Sequence, residues 1–95
     1  TFFALKIQGA SMEPRIVEGD IVIVKQQSDI ENGDIAIVLV NSHEATVKKV
    51  NKHQDGILLS AFNPKVYSPT FYNNKQIEEL PVQIIGKVVE LRGKF

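Results

Sequence analysis

Hydrophobic residues in this 95-residue chain form short runs between turn-forming residues, and the first run shows the period of two that is typical of a half-buried β-strand. In the first such run, Phe3, Leu5 and Ile7 alternate with small or polar residues, and Gly9 ends the pattern. Apolar, β-branched runs predict five more strands, at residues 21–24, 35–40, 45–50, 57–62 and 82–91. The pattern therefore favours a β-rich chain in which successive strands follow one another closely.

Turn-forming residues separate these runs. Glu18-Gly19-Asp20 and Glu31-Asn32-Gly33-Asp34 precede the second and third strands, while Asn41–Glu44 and Gln54–Gly56 are predicted to be hairpin tips. Gly86, inside the last run, predicts a bulge or bend.

The region from Asn63 to Pro81 is polar and contains Pro64 and Pro69, so we expect irregular structure there. No segment sustains apolar spacing of i, i+3, i+4 and i+7, so we expect at most one short helical turn, following Ser11. These patterns predict an all-β fold, a twisted and partly closed barrel.

Length and composition narrow the function classes. The chain is long enough for one domain, residues 1–95, and its eleven basic and eleven acidic residues cancel, which gives the domain no overall attraction to nucleic acid. The absence of cysteine excludes disulfides and a thiolate nucleophile. No apolar run approaches the roughly 20 residues that span a bilayer, so we expect a soluble, cytoplasmic protein that uses no membrane. Because the sequence starts at Thr1 within an apolar run, we interpret it as part of a longer protein.

A serine and a lysine form the candidate chemistry. Ser11 lies on a tight turn behind Gly9, and Lys48 shares one face of the strand 45–50 with Thr46. If that face is buried, desolvation lowers the pKa of Lys48, and a neutral amine could take the hydroxyl proton of Ser11 as its oxygen attacks a carbonyl. Backbone N–H groups of the turn could stabilise the oxyanion, and the Thr46 hydroxyl could orient the lysine.

The residues alone also support structural interpretations. Ser11 suits a turn or a helix N-cap, and Lys48 suits an exposed strand position whose ammonium reaches water. A register slip of one residue would exchange Lys48 with Lys49. His43 and His53 have no second ligand at a useful spacing, so we expect no metal and no cofactor.

Five segments together resemble the C-terminal domain of LexA-like and phage repressors. They are Gly9–Pro14, Glu18–Val22, the Asn32-Gly33-Asp34 turn, Thr46-Val47-Lys48-Lys49 and Ile85–Val89. The resemblance runs over nearly the whole chain. A small residue followed by Ser-Met, with a Thr-Val-Lys strand some dozens of residues later, is its most specific part.

This resemblance implies a LexA/signal-peptidase-like β-fold with Ser11 as nucleophile and Lys48 as general base. It places Ala10, Met12 and Thr46 as oxyanion or supporting residues, with Lys49 pointing away. It further implies a homodimer that cuts its own chain at an Ala-Gly or Cys-Gly bond, stimulated by RecA on single-stranded DNA during the SOS response. Operator DNA would be bound only by an N-terminal domain that lies outside this sequence.

The sequence departs from that expectation in one respect. Its six glycines follow Gln, Glu, Asn, Asp, Ile and Arg, so neither cleavable bond occurs within it. The bond could lie in a preceding segment, the chain could be the product of cleavage, or this member could have lost the reaction. Two other functions also stay open: a UmuD-like polymerase subunit with the same dyad, and a dimerisation module without catalysis.

Overall fold

A computed structural model describes residues 1–43 and 45–93 as seven strands and one short helix. The elements in chain order are β1 (Phe2–Lys6), β2 (Ile21–Gln26), β3 (Asp34–Val40), β4 (Thr46–His53), β5 (Gly56–Ser60), β6 (Thr70–Asn73), α1 (Asn74–Glu79) and β7 (Val82–Arg92). The predicted all-β class is confirmed. Six of the strands lie where the hydrophobic pattern predicts them, with ends displaced by a few residues.

The strands form one antiparallel sheet in the order β1-β2-β7-β3-β4-β5-β6. The last strand, β7, therefore lies in the middle, hydrogen-bonded to β2 on one side and to β3 on the other. Within the described part of the chain no ladder joins β1 to β6, so the sheet is open, with these two strands at its edges.

Two hydrophobic clusters cover the sheet. Ile37 belongs to one, whereas its neighbours Ala36 and Val38 belong to the other, and adjacent residues of a strand point to opposite faces. The first cluster contains Met12, beside Ser11, and the second contains Val50, which shares a strand face with Lys48. The serine turn thus packs with the first cluster, and the lysine strand contributes side chains to both, Val47 to the first and Val50 to the second.

The region from Asn63 to Pro81 contradicts our expectation of irregular structure, because it contains β6 and α1. The Asn73 side chain accepts the N–H of Gln76, and the Gln76 side chain accepts the N–H of Asn73, which together form a capping box. Ile77 and Leu80 pack against the second cluster. The capping box and the packing of Ile77 and Leu80 stabilise a helix of six residues, which is too short to show a helical repeat in the sequence.

The short helical turn expected after Ser11 is a hydrogen-bonded turn. The Glu13 N–H donates to the Ala10 carbonyl at 3.1 Å, and the Ile16 N–H donates to the Met12 carbonyl at 2.9 Å. The expected turn is therefore present, whereas the only helix in the described ranges is α1, in a segment where we predicted irregular structure.

The hairpin between β3 and β4 agrees with its predicted tip. Asn41 and Ser42 have φ of 55° and 57°, and the His43 N–H donates to the Val40 carbonyl at 3.1 Å. Two adjacent positive φ angles are typical of a type I′ turn. Glu44, the last residue of the predicted tip, lies outside the described residues.

The bulge predicted at Gly86 is confirmed. Ile37 of β3 pairs with Gly86, and the next residue of β3, Val38, pairs with Ile84. Ile85 is therefore the extra residue of β7. At Gly86 a Cβ atom would lie 2.5 Å from Val24 Cγ1 and 2.6 Å from the Lys25 carbonyl oxygen. Glycine is needed here because β2 passes so close to β7.

Candidate active site

The structure brings Ser11 and Lys48 together across 37 residues of sequence. The Lys48 ammonium donates to Ser11 Oγ at 3.4 Å and to the carbonyl of Val47 at 3.2 Å. Lys48 is only 6% exposed, so its side chain does not reach out to water. Lys49 is half-buried and lies on the opposite face of β4, which resolves the choice between the two lysines.

Burial dominates the electrostatics of Lys48. Desolvation lowers its pKa below the ordinary value of 10.5, because burial removes hydration that stabilises the charged ammonium more than the neutral amine. Across the described chain, no carboxylate forms an ion pair with this ammonium to oppose the shift. The ring of Tyr67 lies over it, with Nζ 4.5 Å from the ring centroid, and offers a weaker stabilisation of the charged form.

The turn that carries Ser11 is fastened to the loop before β2. Gly9 has φ of 84°, a conformation that residues with a side chain rarely adopt, and its N–H donates to Glu18 Oε1 at 3.0 Å. Ile7 on one side exchanges backbone hydrogen bonds with Gly19 and Asp20 on the other. The buried Asp20 carboxylate in turn accepts the Val17 N–H at 3.0 Å. These bonds fix the path of the chain into Ser11.

A second attachment comes from Asn63, directly after the β5 region. Its backbone N–H donates to the Ser11 carbonyl at 2.8 Å, and its side-chain amide donates to the Ala10 carbonyl at 3.1 Å. The Asn63 carbonyl accepts the N–H groups of Val66 and Tyr67. One residue therefore links the serine turn to the aromatic ring above the lysine.

Our sequence analysis missed both Asn63 and Tyr67 as site residues. Asn63-Pro64 gave only the end of an apolar run, and Tyr67 lay in a segment expected to be irregular. Nothing in sequence spacing indicates contact between residues more than fifty positions apart. The nearest signal is the type of residue, since asparagine side chains often bond to backbone groups.

A cleft of about 510 Å³ opens beside the serine and lysine. It is lined by residues 5–9, Ser11 and Met12 from the first strand and its turn, and by residues 45–48 from the lysine strand. A second cavity of about 320 Å³ also borders Lys48, and its lining includes His43, Tyr67 and Tyr72. Burial raises the pKa of Tyr72, with a smaller contribution from Tyr67.

The three predicted supporting residues differ in position. Met12 is 2% exposed and lines the cleft from the first cluster. The Ala10 carbonyl is engaged by Glu13 and Asn63. Thr46 is exposed and borders both cavities, and the described contacts include no hydrogen bond between its hydroxyl and Lys48.

Backbone groups at the cleft are available to a ligand. In the described ranges, no intramolecular acceptor is bonded to the N–H of Ser11 or of Met12. On the other wall, β4 pairs with β5 only from Lys49 onward, which leaves residues 46–48 unpaired on that side. The cleft thus combines a nucleophile, a candidate base, N–H donors and a free strand edge.

Residues 1–43 and 45–93 contain neither a group of three candidate metal ligands nor a helix that could span a membrane. No three potential metal-binding side chains of His, Cys, Asp or Glu gather at one place there. Over the same residues, no helix is long and apolar enough to cross a bilayer.

Comparison with known proteins agrees with this geometry. The sequence model described as Peptidase S24-like matches residues 1–89. LexA repressors of Oceanobacillus iheyensis and Desulforamulus reducens are each 42% identical, over 90 and 95 residues that cover 94% and 99% of this chain. The LexA repressor of Pseudothermotoga lettingae is 39% identical over 90 residues, or 92% of the chain.

This chain spans only about 40% of the length of those repressors. The family match, by contrast, extends over almost all of the chain and includes both the serine turn and the lysine strand. The chain therefore belongs to the Peptidase S24-like family.

Proposed function

We propose that this chain is the peptidase and dimerisation domain of a LexA-type repressor, and that Ser11 and Lys48 catalyse its self-cleavage. The observation that carries the proposal is the buried Lys48 ammonium, 3.4 Å from Ser11 Oγ. A buried lysine that has no carboxylate partner among the described residues lowers the stability of the fold, and a role as general base would account for its presence.

In the first step, Lys48 must be neutral. Its amine accepts the hydroxyl proton of Ser11 while Oγ attacks the carbonyl carbon of the scissile peptide bond. The carbonyl oxygen becomes an oxyanion, which the N–H groups of Ser11 and Met12 are free to stabilise. The Tyr67 ring faces the ammonium that this proton transfer creates.

In the second step, the Lys48 ammonium gives its proton to the leaving amine, and the C–N bond breaks to form an acyl-enzyme on Ser11. Water then attacks the ester, with the neutral lysine again accepting a proton, and releases the carboxylate product. Lys48 therefore acts in turn as base and acid, which requires a pKa within reach of neutral pH. The lowering of its pKa by burial supports this role.

The substrate we propose is an extended segment with a small-residue-Gly bond. The unpaired side of residues 46–48 offers backbone groups to such a segment, which would bind as an added strand. Because the printed sequence lacks Ala-Gly and Cys-Gly bonds, the substrate must be supplied by a longer form of the chain or by another molecule.

Cleavage in trans tests the dyad. The 95-residue chain is mixed with a connector-bearing chain that carries Ser11→Ala, from about pH 7 to about pH 10. We expect the rate of cleavage to increase with pH up to a plateau. Ser11→Ala or Lys48→Ala in the 95-residue chain should lower that rate by about 10³-fold or more. Lys49→Ala is the matched control, with a rate near that of the wild type.

Two outcomes would contradict the proposal. Undiminished cleavage by Lys48→Ala would exclude the lysine as base. Absence of cleavage by the wild type at every pH would favour a dimerisation module without catalysis.

Dimerisation is the second part of the proposed function. Residues 88–92 of β7 pair with β2 on one side, while the ladder with β3 ends at Lys87, so their other edge has no strand partner among the described residues. Val89 and Leu91 on this segment are 46% and 45% exposed. An apolar free edge of this kind suits pairing with the same segment of a second copy.

The remaining partners follow from the family alone. A LexA-type repressor would act in the cytoplasm, bind operator DNA through an additional N-terminal domain, and cleave itself when RecA on single-stranded DNA stimulates the dyad. The net charge of zero supports a division of labour in which this domain does not itself bind DNA. A helix-turn-helix in the full-length N-terminus would separate a repressor from a UmuD-like subunit.

A further inference from the structure

We infer that Asn63 is a positioning residue that sets the direction of the oxyanion-binding N–H groups. This role rests on the peptidase function proposed above. Its basis is a pair of hydrogen bonds: one from the Asn63 side chain to the Ala10 carbonyl, the other from the Asn63 N–H to the Ser11 carbonyl.

A peptide group is planar, so fixing its carbonyl also fixes its N–H. The Ala10 carbonyl shares a plane with the N–H of Ser11, and the Ser11 carbonyl shares a plane with the N–H of Met12. In a trans peptide the N–H points opposite to the carbonyl. Asn63 therefore holds the Ala10–Ser11 and Ser11–Met12 peptide groups at their carbonyl oxygens, and both N–H groups point away from Asn63.

Neither of these two N–H groups has an acceptor among the described residues. Oxyanion stabilisation depends on donors that are already aimed before the reaction, because turning them during the reaction costs free energy. The turn has two local bonds, from the Glu13 N–H to the Ala10 carbonyl at 3.1 Å and from the Ile16 N–H to the Met12 carbonyl at 2.9 Å, and only the first of them engages a carbonyl that Asn63 also holds. Asn63 adds two bonds from a distant part of the chain, which tie the turn to the body of the sheet.

The backbone carbonyl of Asn63, and not its side chain, supports the surroundings of Lys48. The Asn63 carbonyl accepts the N–H groups of Val66 and Tyr67 at 3.1 Å each, and Tyr67 covers the Lys48 ammonium. Removing only the side chain of Asn63 retains these backbone bonds. A side-chain variant should therefore disturb the Ser11 N–H without altering the surroundings of Lys48.

The test compares Asn63→Ala and Asn63→Asp with the wild type in the trans-cleavage reaction. We expect kcat to fall about 10- to 100-fold, with KM within about twofold. In Asn63→Ala the midpoint of the pH profile should stay unchanged, because this variant adds no charge near Lys48. Asn63→Asp keeps the size of the side chain but has no amide donor, so its kcat should also fall.

Asn74→Ala is the matched control. The Asn74 side-chain amide also donates to a backbone carbonyl, that of Gln54 at 3.0 Å, at a hairpin away from the cleft. Asn74→Ala loses the same kind of bond as Asn63→Ala. If the two variants lower the melting temperature by similar amounts but Asn74→Ala keeps the wild-type kcat, the fall in kcat of Asn63→Ala comes from positioning and not from lost stability.

A fluorophosphonate probe gives a second readout that needs no peptide substrate. Ser11 Oγ forms a bond to phosphorus, the P–F bond breaks, fluoride leaves, and Lys48 takes the hydroxyl proton. We expect slower labelling of Asn63→Ala than of Asn74→Ala, measured only on the folded fraction from size-exclusion chromatography.

The outcomes separate the two levels of inference. An active wild type with equally active Asn63→Ala and Asn63→Asp overturns the positioning role alone, as does a fall confined to KM. A wild type that neither cleaves nor reacts with the probe overturns the peptidase function and this role with it.

Discussion

Lys48 illustrates how burial changes the chemistry of a single residue. An exposed lysine is a charged, hydrated group, whereas Lys48 has a serine hydroxyl, one carbonyl and an aromatic ring around its nitrogen. These contacts replace only part of the lost hydration, and the pKa falls accordingly. The residue that enables the proposed chemistry therefore also weakens the fold.

Replacing Lys48 by methionine should stabilise the protein. Below the folded-state pKa the lysine is charged in both states, so its burial penalty is fully present; between that pKa and the unfolded value the folded state has already lost the proton. We expect Lys48→Met to raise the free energy of unfolding on the order of 1 kcal/mol near pH 7. The gain should shrink as pH rises towards the ordinary lysine pKa of 10.5.

Denaturant unfolding across this pH range measures the effect, with Lys49→Met as the matched variant on the opposite face of β4. A Lys48→Met protein less stable than the wild type near neutral pH would mean that the contacts of the ammonium outweigh its desolvation.

At the scale of elements, β7 depends on one glycine. Gly86 allows β2 and β7 to approach at the bulge, where a side chain would meet Val24 and the backbone of Lys25. The collision with backbone atoms cannot be relieved by rotating a side chain. The register of the central strand is therefore tied to this residue.

Gly86→Ala should lower the free energy of unfolding by about 1–3 kcal/mol, because β2 must shift to admit the methyl group. Thermal or chemical unfolding measures the loss. Gly93→Ala is the control, since its Cβ would meet only Asp20 Oδ1 at 3.9 Å, an ordinary contact. Equal stabilities of the two variants would contradict the packing explanation.

The lengths of the strands and the helix explain which of them could be predicted from the sequence. Alternation at Phe3, Leu5 and Ile7 predicted the first strand, and apolar, β-branched runs between turn residues predicted the other five. The helix α1 and the four-residue β6 were missed because they contain too few residues for a period. Their positions depend on the Asn73 cap and on packing against β5, which only the folded chain supplies.

The candidate site divides in the same way. Ser11 and Lys48 were selected from residue type, strand geometry and family resemblance, but their 3.4 Å contact required the register of β4. Asn63 and Tyr67 lie outside any periodic pattern, and their roles arise from hydrogen bonds and ring contacts between distant segments.

At the scale of the whole molecule, the free edge of β7 is the feature that could join two copies. Its unpaired backbone groups lie at residues 88–92, and its apolar side chains, Val89 and Leu91, are nearly half exposed. A charge placed there would have to be buried in a dimer, which is costly without a partner.

Leu91→Lys should therefore shift the protein towards monomer, with a dissociation constant raised about 10-fold or more. Sedimentation equilibrium measures this directly. Val66→Lys is the control, since Val66 is 56% exposed in the loop after β5, away from the β7 edge. A dimer that survives Leu91→Lys but dissociates with Val66→Lys would place the interface elsewhere.

The strand order also determines when the dyad can form. Among the described strands, β7 lies between β2 and β3 and is the strand that joins the β1-β2 pair to the β3-β4 pair, and it is synthesised after both pairs. Ser11 follows β1 and Lys48 lies in β4, so a nascent chain on the ribosome cannot complete the sheet between them until β7 has emerged. The pairing of β7 is therefore the step that joins the strand of the proposed base to the strand that leads into Ser11.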